Sequence, residues 1–75
     1  MSMENHYSIL IQWSEDDQLY LVTLPEFSEV AMQPCSFGKT YEEAVKNAQE
    51  AISSLLEYCG AEQILPPQPS VLQVA

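Results

Sequence analysis

An α+β fold of order β-β-β-α-β, a small antiparallel sheet with one helix on one face, is what this sequence predicts. Three observations carry that reading. Two short runs with strand character flank a polar turn within residues 7–24. One long segment, residues 40–59, has helical spacing and a start signal. A chain of 75 residues allows one domain, so these elements must share one thin core.

The first strand is expected over YSILIQW, residues 7–13, where Tyr7, Ile9, Ile11 and Trp13 alternate with Ser8, Leu10 and Gln12. A period of two in strand-favouring residues marks a half-buried strand. The stretch SEDDQ, residues 14–18, is a turn, because Ser and Asp side chains bond to nearby backbone. QLYLVTL, residues 18–24, is apolar on both faces and suits a central strand. The short connection makes an antiparallel hairpin the simplest pairing.

Pro25 ends that strand, since proline has no N–H for the ladder. PEFSEV is expected as a loop, and AMQPCSF as a third strand that Pro34 confines to a sheet edge or a bulge. Gly38 then leads into the helix. Thr40 is the expected N-cap and Glu43, three residues on, completes a capping box by reaching back to the Thr40 amide. Such a cap is worth about 1 kcal/mol. Tyr41, Ala44, Val45, Ala48, Ile52, Leu55, Leu56 and Cys59 form one apolar stripe. The helix should end near Tyr58, with Gly60 as the left-handed residue that closes it.

Residues 66–69, PPQP, favour an extended spacer, and SVLQVA, residues 70–75, is apolar enough for a short final strand. That strand would return to its own sheet or cross to another copy. The resulting division is a disordered N-terminus at 1–6, a domain at 7–65 and a Pro-rich arm at 66–75. One helix covers one sheet face only. The other face keeps apolar residues, and the obvious candidate to cover it is another copy of the same chain.

The charge is lopsided. Eleven acids stand against Lys39 and Lys46, for a net charge of −9. Nucleic acid binding requires Lys or Arg to neutralise phosphates, so no direct nucleic acid contact is expected. A basic protein would be attracted and steered. Hydrophobic content of 47% excludes a disordered chain. No basic region followed by an apolar run opens the sequence, and no stretch reaches the ~18–20 apolar residues of a membrane span. A cytoplasmic protein with reduced cysteines is the expectation.

No reaction chemistry emerges. Cys35 and Cys59 lack a CxxC spacing or a nearby His pair, so packed thiols are expected rather than a metal site. His6, the single histidine, lies in the polar N-terminus, away from any nucleophile. Glu15, Asp16 and Asp17 sit consecutively in a turn and lack the spacing of a calcium loop. No phosphate-cradling glycine pattern is present. The expectation is a non-enzyme with no cofactor and no metal. Trp13 and Tyr20, with Glu15, Asp16 and Asp17 beside them, are the candidate partner-binding residues, because aromatics supply large contact area at protein interfaces.

FGKTYEEAVKNAQEAI, residues 37–52, resembles the G-[DE]-T-x-E-E-A-x-x-N-A-x-E-A-[IL] segment of the HicB antitoxin family. Gly38, Thr40, Glu42, Glu43, Ala44, Asn47, Ala48, Glu50 and Ala51 carry the match. LYLVTLPEF upstream and PPQPS downstream are similar to the family's proline-ended strand and its proline-rich stretch. The resemblance spans roughly residues 7–70. It implies a partial RNase H-like domain without the nuclease active site. It also implies a non-enzymatic antitoxin, a homodimer or tetramer, that binds and neutralises HicA, a small basic toxin that cleaves mRNA.

Two departures stand out. The family's glycine and cysteine after the proline are replaced by a longer SEVAMQPCSF, in which Cys35 has a different spacing. The family's C-terminal DNA-binding domain has no counterpart within 75 residues, so a stand-alone member is expected and operon repression is not carried over. The alternative function is a self-associating adaptor with no toxin partner. A degenerate nuclease stands behind both, because its carboxylates would have to converge on metal ions.

Overall fold

The computed structural model describes residues 6–72. Strands β1 (Leu10–Ser14), β2 (Leu19–Thr23) and β3 (Ser36–Gly38) form an antiparallel sheet in the order β1-β2-β3. A short 3-10 helix covers Pro25–Phe27, and the α-helix α1 covers Tyr41–Ala61. The coarse α+β expectation therefore holds, with one helix on one sheet face. Residues 70–72 form no strand. The rest of the expected final strand, like most of the expected disordered N-terminus, lies outside the described residues.

Side-chain parity settles which face is covered. Val22 and Leu24 point to the helix and are fully buried with Phe27, Ala44, Ala48 and Ile52. Tyr7, Ile9, Ile11 and Tyr20 pack against that cluster from the same side. The expected helical stripe is thus the core of the protein. Two of its members depart from the expectation: Tyr41 and Val45 are exposed.

The third strand is shorter and later than expected, and the reason is Pro34. Upstream of it, Gln33 takes over the pairing with its side chain. Its Oε1 accepts from the Leu24 amide at 3.1 Å and its Nε2 donates to the Leu24 carbonyl at 2.9 Å. The Cys35 amide then donates to the Val22 carbonyl at 2.9 Å, and regular pairing follows. A side-chain amide here does the work of a strand rung that proline cannot supply. The expected loop after Pro25 begins as a helical turn that drives Phe27 into the core.

Both ends of α1 are closed, each by a different residue than expected in part. Thr40 Oγ1 accepts from the Glu43 amide at 3.0 Å, as a capping box requires. The Glu43 carboxylate reaches the Lys39 amide at 2.6 Å rather than that of Thr40. At the far end Gly60 is still helical, and Gln63 takes the left-handed conformation with φ 58°. The Ile64 amide donates to the Cys59 carbonyl at 2.8 Å and the Gln63 amide to the Gly60 carbonyl at 3.3 Å. This is a Schellman closure three residues beyond the expected one. The added turn lets the helix bury Cys59.

The proline-rich arm folds back on its own chain. Tyr7 donates its hydroxyl to the Pro67 carbonyl at 2.7 Å. Glu26 accepts from the Ser8 amide, the Ser8 hydroxyl and the Ser70 amide, all within 2.9–3.1 Å. One carboxylate thereby joins the N-terminal segment, the 3-10 helix and the arm. Partial burial alone would raise the Glu26 pKa, but these hydrogen bonds and its own backbone amide outweigh that and hold it below 4.5. A depressed carboxylate pKa contributes stability that is full above the unfolded value and lost as pH falls through the folded value. Acidification below about 4.5 should therefore loosen the arm. Hydrogen exchange at the Ser8 and Ser70 amides measures this: their protection relative to the intrinsic exchange rate should fall in acid, and Glu26→Gln should lower it already at neutral pH.

Candidate partner-binding surface

The hairpin register places Trp13 directly opposite Tyr20. Their rings meet edge to face with centroids 5.0 Å apart, a favoured arrangement for aromatic pairs. Tyr41, the first residue of α1, stacks on the other side of Tyr20 at 4.3 Å and 30°. The result is a ladder of three aromatics running from strand β1 to the helix N-terminus. Tyr20 is its half-buried middle and ties it to the core. Trp13 and Tyr41 are its open ends, 45% and 61% exposed.

Acid borders this ladder at both ends. Trp13 Nε1 donates to the Glu15 carboxylate at 2.6 Å, which fixes the indole and the carboxylate together. Glu42 follows Tyr41 in the first turn of the helix. Beyond Tyr41 the helix presents a shallow concavity lined by Tyr41, Glu42, Val45, Lys46 and Gln49. Aromatic faces attract cations electrostatically, and adjacent carboxylates add direct pairing. The planar guanidinium of arginine satisfies both demands at once. Exposed aromatic faces beside carboxylates are the chemistry that complements a cation on an apolar stem, and Lys46 places one such stem on the same concavity.

Three of the five sequence-predicted residues come together here: Trp13, Glu15 and Tyr20. Asp17 is occupied locally, accepting from the Ser14 hydroxyl at 3.0 Å while its amide donates to that hydroxyl at 3.2 Å. Asp16 is exposed in the turn and adds charge rather than a ladder contact. Gln18 closes the turn in the left-handed region at φ 56°. Its side chain donates to the Glu15 carbonyl at 2.8 Å and its amide to the Ser14 carbonyl at 2.8 Å. These bonds offset the roughly 1–2 kcal/mol that a non-glycine residue incurs there.

Tyr41 and Val45 are the residues that sequence reasoning assigned to the core. The phase of Tyr41 on the helix matches that of the buried stripe, but it sits one turn beyond the point where Ala44 begins the core contact. The helical period gives direction and not the extent of the sheet beneath.

Other chemistry is not assembled in the fold. Among the described residues no group of three His, Cys, Asp or Glu side chains converges to hold a metal ion. Cys35 and Cys59 are free thiols, half-buried and buried. Burial pushes the Cys35 thiol pKa up, partly offset by backbone hydrogen bonds from Cys35 and Leu24, which favours the thiol over the thiolate. Among the described residues no helix is long and apolar enough to cross a membrane. No known family model, curated protein or solved structure matches this chain.

Proposed function

We propose that this chain is a non-enzymatic binding protein of the HicB-like antitoxin kind, which grips and neutralises a small basic toxin of the HicA type. The observation that carries the binding reading is the exposed aromatic ladder of Trp13, Tyr20 and Tyr41 with Glu15 and Glu42 at its ends. A body of net charge −9 steers a cationic partner to it. The toxin class rests on the sequence resemblance around residues 37–52.

Trp13 is the only tryptophan, so its fluorescence reports directly on this surface. Titrating the chain with the product of the neighbouring reading frame should shift that emission and form a complex that weakens as salt rises. Trp13→Ala should weaken the complex about 30-fold or more, the loss typical of a buried aromatic anchor. Co-expression of the intact chain should restore growth to cells making the toxin. No complex and no rescue would end this reading.

The competing reading, a self-associating module with no toxin, is favoured by a different feature, the exposed Leu10 and Phe37 on the sheet face opposite Val22. A nuclease reading gains nothing from the acids, because among the described residues no three His, Cys, Asp or Glu side chains converge.

A further inference from the structure

We infer that Trp13 and Glu15 form a subsite for an arginine side chain of a protein partner, and that this subsite discriminates against lysine. The inference rests on the aromatic ladder being a binding surface, and not on the toxin class.

The two ends of the ladder differ. At the Tyr41 end the chain's own Lys46 lines the concavity, so a cation of the chain already stands there. At the Trp13 end a carboxylate takes that place. The indole Nε1–H donates to Glu15 Oε2 at 2.6 Å. That N–H lies in the ring plane, so the carboxylate stands at the edge of the ring. Glu15 Oε1 accepts no hydrogen bond among the described residues. Tyr20 meets Trp13 at 67°, edge to face, and such a neighbour covers one face of the indole at most. Trp13 is 45% exposed, which leaves an aromatic face open beside a fixed carboxylate.

Shape then selects the cation. The net charge of −9 draws arginine and lysine alike. An ammonium is a compact point charge. Centred over the ring it stands away from Glu15, and set against Glu15 it leaves the ring. A guanidinium is flat. Stacked on the indole, it directs its N–H groups outward in its own plane, where a pair of them can fork onto a carboxylate at the ring edge. Arginine therefore makes both contacts at once. It is also more weakly hydrated than lysine and gives up less on leaving water.

Trp13 is the only tryptophan, so its indole N–H gives one NMR signal. Titration of the full chain at low salt with capped Gly-Arg-Gly-Arg-Gly or Gly-Lys-Gly-Lys-Gly reads the choice at equal peptide charge. The arginine peptide should move that signal and half-saturate it about threefold or more below the lysine peptide. Glu15→Gln should remove the preference. Glutamine keeps an oxygen for the indole N–H, so the ring stays placed and only the charge goes. Glu62→Gln is the control. It removes one charge too, but α1 has 21 residues and sets Glu62 about 30 Å from the Tyr41 end. Both glutamates are exposed. The preference should survive in Glu62→Gln. Equal titration by the two peptides, an indole signal that neither moves, or equal behaviour of the two variants overturns the subsite. Toxin binding is a separate measurement: loss of the arginine preference leaves the toxin reading standing, and a toxin that fails to bind leaves the subsite standing.

Discussion

Gly38→Ala should cost about 3 kcal/mol, the upper end of the overpacking range, and remove a large part of the chain's stability. A Cβ built at Gly38 would lie 2.4 Å from the Ala44 nitrogen, 2.7 Å from its Cα and 2.9 Å from the Glu43 carbonyl carbon. All three are backbone atoms in the first turn of α1, so no side chain can swing aside. Overpacking a core typically costs ~1–3 kcal/mol when side chains can adjust. Here the helix itself must move off β3, and Ala44 with it, out of full burial. A domain of 75 residues has roughly 4–11 kcal/mol of stability in total. Urea unfolding followed by circular dichroism should give a midpoint far below that of the parent chain.

Gly60→Ala is the matched control. Nothing lies within 4 Å of a Cβ there, and the residue is helical. Alanine should stabilise by up to about 1 kcal/mol through helix propensity alone. Opposite signs at the two glycines would establish that Gly38 serves close approach. Its φ is not positive, so backbone freedom is not what the site requires. Equal, small effects at both would mean that the helix does not rest on β3 as described.

Phe27→Ala should cost ~3–5 kcal/mol, the range for removing a buried aromatic ring. Phe27 is the largest of the fully buried side chains. It enters the core from the 3-10 helix and joins Leu24, the residue after β2, and the helix residues Ala44, Ala48 and Ile52 in one buried cluster. Its ring also meets that of Tyr7 at 4.8 Å, and Tyr7 in turn holds the arm at Pro67. The substitution therefore empties the core and loosens the arm together. Denaturant unfolding reads the first effect, and hydrogen exchange at the Ser70 amide reads the second. A cost below about 1 kcal/mol would mean that the core closes around the gap.

The aromatic ladder shows where local pattern stops being informative. Period-two alternation put Trp13 on one strand, and a run apolar on both faces put Tyr20 on the next. Their direct opposition came from hairpin register, which a turn through Gln18 in a left-handed conformation sets. The turn itself was signalled by its Ser and Asp residues, but the left-handed conformation of Gln18 was not, since glycine or asparagine is the usual occupant. The Glu26 clamp was equally hidden. Its three partners come from Ser8 and Ser70, 18 and 44 residues away.

From the chain alone came the elements with short-range causes: the capped helix at Thr40, the hairpin around residues 14–18, the buried stripe at Ala44, Ala48 and Ile52, and the strong negative charge. Each depends on residues within a few positions of one another, where spacing is enough to set direction. Tertiary structure decided what depends on reach: that Tyr41 overhangs the core and completes a ladder, that the helix runs to Ala61, that Gly38 must yield its side chain to Ala44, and that the arm closes on Glu26. Periodicity specifies which way a side chain points. Only the packed chain specifies what stands opposite it.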